Sequence, residues 1–359
     1  MHLHKIELLH FKNHEKWVEN FCSGVNCITG RNGSGKTNIL DAIYLLSFCK
    51  SNFQSIDKNI CFNHSDFYSV KGEYISNEID FEVSCKYQEG KRKIVKFNNN
   101  AYKKLSEHIG VIPLVMITPL DIQLINEASE ERRRLIDSTI GQVDHIYLNK
   151  LTEYYKILEH RNKLLKEYSQ NQAVVLSQVD IWNKQLVDRG NYIYKARKKH
   201  LQKISLFVSD IYEILSSKRE NITIEYISKL NTESFEQLIE NNFKKDIVLE
   251  RTTEGIHKDD LEFCMNGQMI KKYGSQGQQK TFIFALKLAI HQYLTEVIQK
   301  KPLLLLDDLF EKLDESRSEE LMLYISTYIH AQVFITDTHH ERAKNILSRM
   351  NAETKFIQL

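Results

Sequence analysis

One run of eight residues constrains this chain more than any other feature of its sequence. Residues 30–37 read GRNGSGKT and match the pattern G-x-x-x-x-G-K-[ST] in full. An apolar strand, Val25–Thr29, is predicted before the run, and a helical pattern, Asn38–Phe48, follows it. Backbone N–H groups of such a loop surround a phosphate, and the positive end of the helix dipole favours the anion. The pattern predicts a nucleotide site made of Gly30, Arg31, Asn32, Gly33, Ser34, Gly35, Lys36 and Thr37, with Lys36 on the β/γ-phosphates and the Thr37 hydroxyl on Mg²⁺.

An apolar run near the C-terminus, Leu303–Leu306, ends in Asp307 and Asp308. Ligands of doubly wound sheets bind at the carboxyl ends of the strands. We therefore expect Asp307 to hold Mg²⁺ and Asp308 to orient or deprotonate the attacking water. Taken alone, the pair equally fits a strand that ends in an ordinary turn. The phosphate loop in the same chain favours the functional interpretation for Asp307.

A second glycine-rich window lies at 255–277, and its sequence SQGQQ precedes a predicted amphipathic helix, Lys280–Gln299. A serine and a glycine at a helix start offer a hydroxyl, N–H groups and a positive dipole end. Ser275, Gly277 and Gln278 are therefore candidates for a second anion site. A simple helix cap is the alternative, and it would be favoured for this motif in isolation.

The remaining pattern predicts an α/β fold that contains a mixed sheet with an antiparallel meander. A helical insert interrupts this α/β domain. Residues 1–29 indicate strand, turn and strand, and 68–97 indicate a meander with turns at Asn77 and Gly90. Segments 303–308 and 332–338 are typical of buried parallel strands. Apolar spacing over 148–165 and 201–215 predicts helices, which form either a core-packed pair or a short antiparallel arm. We predict a discontinuous domain, 1–118 plus 248–359, and an insert at 119–247.

Composition excludes several classes of protein. The longest aliphatic run has four residues, so no membrane span is expected. The N-terminus lacks a signal-peptide pattern, and the six cysteines form no CxxC, which together indicate a cytoplasmic protein with reduced thiols. The net charge of +2 excludes a polycation, so any nucleic-acid surface must be a local patch. The candidate patches are 91–93, 132–134 and 195–199, although each is more often a solvated face.

The sequence S-x-G-Q, followed by an apolar strand with an acidic end, resembles the signature of ABC-type ATPases. In that superfamily the signature closes over a nucleotide held by a second head. The resemblance therefore implies an ATP-dependent homodimer with two ATP molecules between its subunits. It also implies a dimer contact at Asp314, in the segment Glu311–Asp314.

Other segments narrow the resemblance to the RecF family of ABC/SMC-type ATPases. They are FKNHE at 11–15, ITPLDIQLI at 117–125, RRRLID at 132–137, LTEYYKILEHRNKLLK at 151–166, TTEGIHKDDL at 252–261 and LLLLDDLFEKLD at 303–314. This resemblance implies an ABC-type head that dimerises with ATP on single-stranded, gapped or linear double-stranded DNA. It further implies action with RecO and RecR to load RecA, support of the SOS response, and slow hydrolysis that resets the dimer.

Three features depart from the family pattern. Gly255–Lys258 reads Gly-Ile-His-Lys where the family usually has Gly-Pro-His-Arg. No switch histidine is assigned, because Asp337 stands nearest that place and His339 lies two residues on. Asp308 stands where transporter heads have a glutamate, and its shorter side chain suits a slow, DNA-stimulated ATPase.

Two alternatives share the phosphate loop, the signature and the carboxylates. One is the ATPase subunit of an ABC transporter, and the other is a different SMC-like repair ATPase. Lys36 and Asp307 stand 271 positions apart, which is longer than a compact transporter head requires. The predicted insert of about 130 residues is in turn far shorter than the arms of other SMC-like proteins.

Overall fold

The computed structural model describes residues 1–63, 65–76, 79–168, 172–216, 220–308, 315–348 and 352–359. Its strands are β1 His2–Phe11, β2 His14–Asn20, β3 Val25–Thr29, β4 Phe67–Ile75, β5 Phe81–Gln88, β6 Ile94–Phe97, β7 Asn100–Ala101, β8 Leu114–Ile117, β9 Ile222–Ile227, β10 Asp260–Met265, β11 Gln268–Met269, β12 Leu303–Leu306, β13 Val333–Asp337 and β14 Thr354–Gln358. Its α-helices are α1 Lys36–Phe48, α2 Gln123–Asn126, α3 Ser129–Gly141, α4 His145–Glu167, α5 Gln172–Ser216, α6 Phe235–Val248, α7 Ile270–Tyr273, α8 Gln276–Ile298, α9 Glu315–Tyr328 and α10 His340–Leu347.

The chain divides by contacts into two units. The first comprises 1–122, 210–219 and 280–359, and the second comprises 123–209 and 220–279. Relative to the boundaries expected from the sequence, 119–122 and 210–219 lie with the first unit and 248–279 lies with the second.

Two sheets enclose helix α1 in the first unit. The antiparallel sheet has the order β2-β1-β4-β5-β6-β7, and the parallel sheet has the order β14-β3-β13-β12-β8. Helix α1 contacts β4, β5, β8 and β13, so one apolar core is shared by both sheets. Every residue of β3, β8, β12 and β13 is buried, which explains the continuous apolar runs of these strands.

The strand predictions are confirmed, with one addition. The meander at 68–97 corresponds to β4, β5 and β6, and Gly90 takes a positive φ of 75° in the turn between β5 and β6. The other turn, at Asn77, lies outside the described residues. Residues 1–29 contain a hairpin, β1 and β2, before β3, where the sequence predicted only two strands.

The second unit contains more than helices. Strands β11, β10 and β9 form an antiparallel sheet, and helix α3 contacts β10. The apolar spacing over 201–215 falls on buried residues, which favours core packing over an exposed arm. The apolar spacing over 148–165 includes Tyr155, which in α4 is instead 43% exposed, whereas Tyr154 and Arg161 are fully buried. Arg161 can occupy this core position because its guanidinium donates to Asp246 at 2.8 Å.

No helix in the described ranges is long and apolar enough to cross a membrane.

Candidate nucleotide-binding site

The loop between β3 and α1 can adopt its shape only because two of its residues lack a Cβ. Gly33 and Gly35 have φ values of 82° and 103°, in the left-handed region. A Cβ on Gly35 would lie 2.5 Å from His14 Nε2 and 2.6 Å from the side chain of Asn13. The β1–β2 turn therefore packs directly behind the loop. His14 donates from Nε2 to the Gly35 carbonyl at 3.3 Å, and burial lowers the pKa of this imidazole, which favours its neutral form.

Two polar side chains of the loop indicate that it binds an anionic ligand. Lys36 is 4% exposed, and its Nζ donates to the carbonyls of Gly30 at 2.9 Å and Arg31 at 3.2 Å. The buried Ser34 hydroxyl has no hydrogen-bond partner among the described residues. The first N–H groups of α1 have no acceptor within the helix. The loop thus gathers a cation, a hydroxyl and backbone donors, which are the groups that phosphate oxygens accept from.

The carboxylate predicted at the end of β12 lies beside the phosphate loop. Thr37 donates from Oγ1 to Asp307 Oδ1 at 2.9 Å, and Thr336 donates from Oγ1 to the same oxygen at 2.8 Å. The contact forms because β12 pairs in parallel with β13, which pairs with β3, so the carboxyl ends of all three strands meet at one edge. Burial raises the pKa of Asp307, and the adjacent charge of Asp308 acts in the same direction. A bound cation would reverse this effect by favouring the ionised carboxylate.

Asp308 takes a left-handed φ of 44°, and its backbone N–H donates to Thr336 Oγ1 at 2.8 Å. It lines a cavity of about 360 Å³ within the first unit. The other lining residues are Ile117, Thr118, Pro119, Ile122, Lys280, Ile283, Phe284 and Asp307. Both acidic residues predicted from the sequence therefore face the same space.

An ion pair holds one wall of this cavity. Asp121 accepts from the Thr118 N–H at 2.6 Å and pairs with Lys287 at 2.6 Å. Lys287 also donates to the Met116 carbonyl at 2.9 Å, so it ties helix α8 to the end of β8. Asp121 and Lys287 were not predicted as site residues, because no motif in the sequence assigns a role to either of them. Their only sequence signal was that Asp121 belongs to the stretch ITPLDIQLI.

The residues predicted to form the signature lie in the second unit, at the start of α8. This helix begins at Gln276, not at Lys280 as predicted, so Gly277 and Gln278 stand in its first turn. Ser275 Oγ accepts from the Gln278 N–H at 3.2 Å, while Gln278 Oε1 accepts from the Ser275 N–H at 2.8 Å. This reciprocal capping box explains why a long helix starts here. Ser275 and Gln276 are exposed.

Asp337, which the sequence analysis places nearest the position of a switch histidine, lies at the end of β13. Its carboxylate is buried and accepts from Arg342 Nη2 at 2.8 and 2.9 Å. The Asp337 carbonyl accepts from the Gly30 N–H at 3.3 Å, which connects this strand end to the loop. The side chain of His339 is 72% exposed. The predicted dimer-contact segment with Asp314 lies outside the described residues.

Each predicted basic patch contains at least one residue that is engaged inside the molecule. Arg197 is fully buried and bonds both oxygens of Asp137 at 2.9 Å, so the prediction of a surface patch is wrong for this residue. Arg132 is 8% exposed and donates a hydrogen bond to each carboxylate oxygen of Asp260. Lys93 forms an ion pair with Asp57. A charge run in a sequence does not reveal these partners, because they stand far away along the chain.

Comparison with known proteins identifies the family. The family model of the RecF/RecN/SMC N-terminal domain matches residues 2–356. The DNA replication and repair protein RecF of Flavobacterium johnsoniae is 38% identical over 359 residues, which is 100% of each chain. The chain belongs to the RecF family. RecF of Parabacteroides distasonis is 39% identical over 351 residues, 98% of this chain and 95% of that protein.

Solved structures agree with membership of the RecF family. The recombination mediator protein RecF–ATP of the RecFOR pathway superposes with a TM-score of 0.87 at 28% identity, over 99% of this chain and 97% of that chain. An Smc head domain from Pyrococcus furiosus has a TM-score of 0.55 at 19% identity, over 96% and 91%. The predicted fold class, an ABC-type ATPase head with an insert, is confirmed.

Proposed function

We propose that this chain is an ATP-dependent DNA-binding protein of recombinational DNA repair and replication-fork maintenance. The observation that carries the proposal is the contact between Thr37 Oγ1 and Asp307 Oδ1 at 2.9 Å. It joins a hydroxyl of the phosphate loop to a strand-end carboxylate, which is the pair of oxygen ligands that Mg²⁺ takes in P-loop ATPases. Membership of the RecF family supports the choice of DNA repair over transport.

The residues present fit ATP and Mg²⁺. The nucleotide would be held by Gly30–Thr37, where Lys36 and the Ser34 hydroxyl, which has no partner among the described residues, offer donors to phosphate oxygens. The metal would be held by Thr37 and Asp307, and when bound it neutralises charge on the phosphates. Asp308, at the wall of the adjoining cavity, orients the attacking water and accepts its proton. A side chain one methylene shorter than glutamate holds that water less well, so we expect slow hydrolysis.

The active form that we propose is a homodimer that encloses two ATP molecules. Ser275, Gly277 and Gln278 of one subunit would close over the nucleotide held by the phosphate loop of the other. Exposure of Ser275 at the positive end of α8 supports this role, since its hydroxyl lies on the surface that a second copy would meet.

We extend the proposal to DNA and to protein partners. The dimer would bind single-stranded, gapped or linear double-stranded DNA, act with RecO and RecR to help load RecA, and support the SOS response. A similar solved structure, described as a RecF–ATP recombination mediator of the RecFOR pathway, supports this extension. Hydrolysis would then release the dimer from DNA.

Sedimentation of the wild type, Lys36→Ala and Asp308→Asn tests the function. Loss of the Lys36 contact should cost about 1.5–3 kcal/mol of ATP binding, or roughly ten- to a hundredfold in affinity. The wild type should dimerise with ATP, Mg²⁺ and a gapped duplex, Lys36→Ala should stay monomeric, and Asp308→Asn should form a dimer that persists. Unchanged ATP affinity in Lys36→Ala would contradict the phosphate-loop assignment, and a wild type that ignores the duplex would contradict the DNA assignment.

A further inference from the structure

The solvent face of the antiparallel sheet in the first unit carries a groove of about 360 Å³. Four lysines line it, Lys16, Lys71, Lys86 and Lys96, together with Ser69 and Ser84. The opposite face of the same sheet packs on α1 in the apolar core. We propose that this groove binds the phosphate backbone of duplex DNA, an inference that rests on the function proposed above.

Strand register places the lysines at separate points across the sheet. Lys16 on β2 pairs with Leu9, which pairs with Ser69, which in turn pairs with Lys86 on β5. These residues form one cross-strand row, and three strand spacings put Lys16 and Lys86 about 14 Å apart at the backbone. Lys96 follows on β6, opposite Ser84 in the next row. The positive charges therefore spread over a surface wide enough to meet several phosphates.

Three of the four lysines are available to a ligand. Within the described residues Lys16, Lys86 and Lys96 form no ion pair and no side-chain hydrogen bond, and Lys16 and Lys86 are exposed. The two glutamates of the groove already have partners on the sheet. Glu7 pairs with Lys5 at 2.5 Å, and Glu82 pairs with Lys71 at 2.9 Å. Since none of the described carboxylates is paired with these three ammonium groups, the face complements an anion.

The lining favours a phosphate backbone over exposed bases. Proteins that hold single strands stack bases on aromatic rings, and none of the described residues that line the groove is aromatic. Lysine ammonium groups and serine hydroxyls are instead the donors that contact phosphate oxygens without reading sequence. The chain as a whole has a net charge of only +2, so DNA binding needs a local set of this kind.

The test is a salt titration of binding to a short linear duplex, with ATP and Mg²⁺, by fluorescence anisotropy. The variant Lys16→Gln/Lys86→Gln/Lys96→Gln removes three positive charges and changes no residue of the nucleotide site. Each phosphate contact contributes about 0.9 to the log–log salt slope, so the slope should become less steep by about 2.7. The same three contacts correspond to a loss of affinity of up to about 500-fold at 0.1 M salt. ATP affinity should stay unchanged, which shows that the variant is folded.

A matched control removes three exposed lysines elsewhere in the first unit, by Lys104→Gln/Lys301→Gln/Lys344→Gln, and should leave affinity and slope as in the wild type. If the groove variant binds the duplex with wild-type affinity and slope, the proposal is overturned. The groove would then suit an acidic protein instead, and DNA binding would stand on another surface. If the wild type itself fails to bind the duplex, the proposed function fails and the groove proposal fails with it.

Discussion

Gly33 and Gly35 stand two residues apart in the same loop and both have a positive φ, but their surroundings differ. Gly33 has nothing within 4 Å of the position that a Cβ would take. Gly35 has His14 and Asn13 at 2.5–2.6 Å. A comparison of substitutions at Gly33 and Gly35 therefore separates the free-energy cost of a strained backbone from the cost of steric overlap.

Alanine substitution should reveal this difference in stability. Gly33→Ala should cost about 1–2 kcal/mol, because an L-residue is strained in the left-handed region. Gly35→Ala should cost about 1–3 kcal/mol more, because the added methyl group also displaces the β1–β2 turn. Urea unfolding without nucleotide measures both, and equal midpoints would show that the turn does not restrict the loop.

Arg197 shows at the same scale how a charged residue can act as a core residue. Besides Asp137, its guanidinium donates to the Ile256 carbonyl at 2.7 Å and to Asp259 at 3.2 Å. Arg197→Met should destabilise the protein by about 3–5 kcal/mol, because two buried carboxylates lose their counter-charge. The exposed neighbour is the control, and Lys198→Met should change stability by less than about 0.5 kcal/mol. Thermal unfolding monitored by circular dichroism compares them, and similar losses would contradict a structural role for Arg197.

At the scale of elements, His291 joins α8 to the turn before β12. Its Nε2 donates to the Pro302 carbonyl at 3.0 Å, and burial lowers its pKa to about 4. The unfolded chain binds a proton near pH 6.5, whereas the folded chain resists protonation until about pH 4. The contribution of His291 to the free energy of unfolding is therefore fully present above pH 6.5 and is lost as the pH falls towards 4. At pH 5 the loss is about 2 kcal/mol.

Replacement of His291 by glutamine tests this pH dependence. The glutamine amide can still donate to the Pro302 carbonyl but does not titrate. The difference in unfolding free energy between pH 8 and pH 5 should shrink by about 2 kcal/mol in His291→Gln. His339→Gln, which removes an imidazole that is 72% exposed, serves as the control. An unaltered pH dependence in His291→Gln would mean that the imidazole accepts a proton in the folded state.

Elements differ in how far the sequence reveals them. Strands β3, β12 and β13 were predictable because complete burial makes them continuous apolar runs, and the meander was predictable from alternation. The sheet of β9, β10 and β11 was not, because β9 has mixed burial and stands within a long helical pattern. In α4, the spacing of apolar residues placed Tyr155, not Tyr154, on the apolar face. The buried face of the helix differs because it includes Arg161, which is paired with Asp246 and is not counted among apolar residues.

Some residues of the candidate site were likewise predictable from the sequence, and others were not. The loop and Asp307 follow from local motifs and from the rule that strand ends share one edge of a sheet. Asn13 and His14 support the loop from a hairpin turn, and their contact depends on how β1 and β2 fold back. Asp121 and Lys287 stand 166 positions apart, so only the assembled unit reveals their pairing. Long-range polar contacts of this kind leave no periodic signal in a sequence.

At the scale of the whole molecule, the proposed dimer makes each ATP site from two subunits. Ser275 belongs to the second unit and the phosphate loop belongs to the first. Ser275→Arg should leave ATP binding to the monomer nearly intact, because Gly30–Thr37 are untouched. It should abolish ATP-driven dimerisation, because a bulky cation replaces a small capping hydroxyl at the surface that meets the second copy.

Mixing two inactive variants gives the sharpest test of this arrangement. A dimer of one Lys36→Ala subunit and one Ser275→Arg subunit has one site with both parts mutated and one site with both parts intact. An equal mixture should recover at most half of wild-type ATPase activity, because neither variant dimerises by itself and each mixed dimer keeps one of its two sites. Steady-state phosphate release measures the recovery, with each variant alone as the control. A mixture as inactive as its components would mean that both sites must act together or that Ser275 serves its own subunit. Normal ATP-driven dimerisation of Ser275→Arg alone would contradict the two-subunit site, because the arginine would then stand at a surface that no second copy meets.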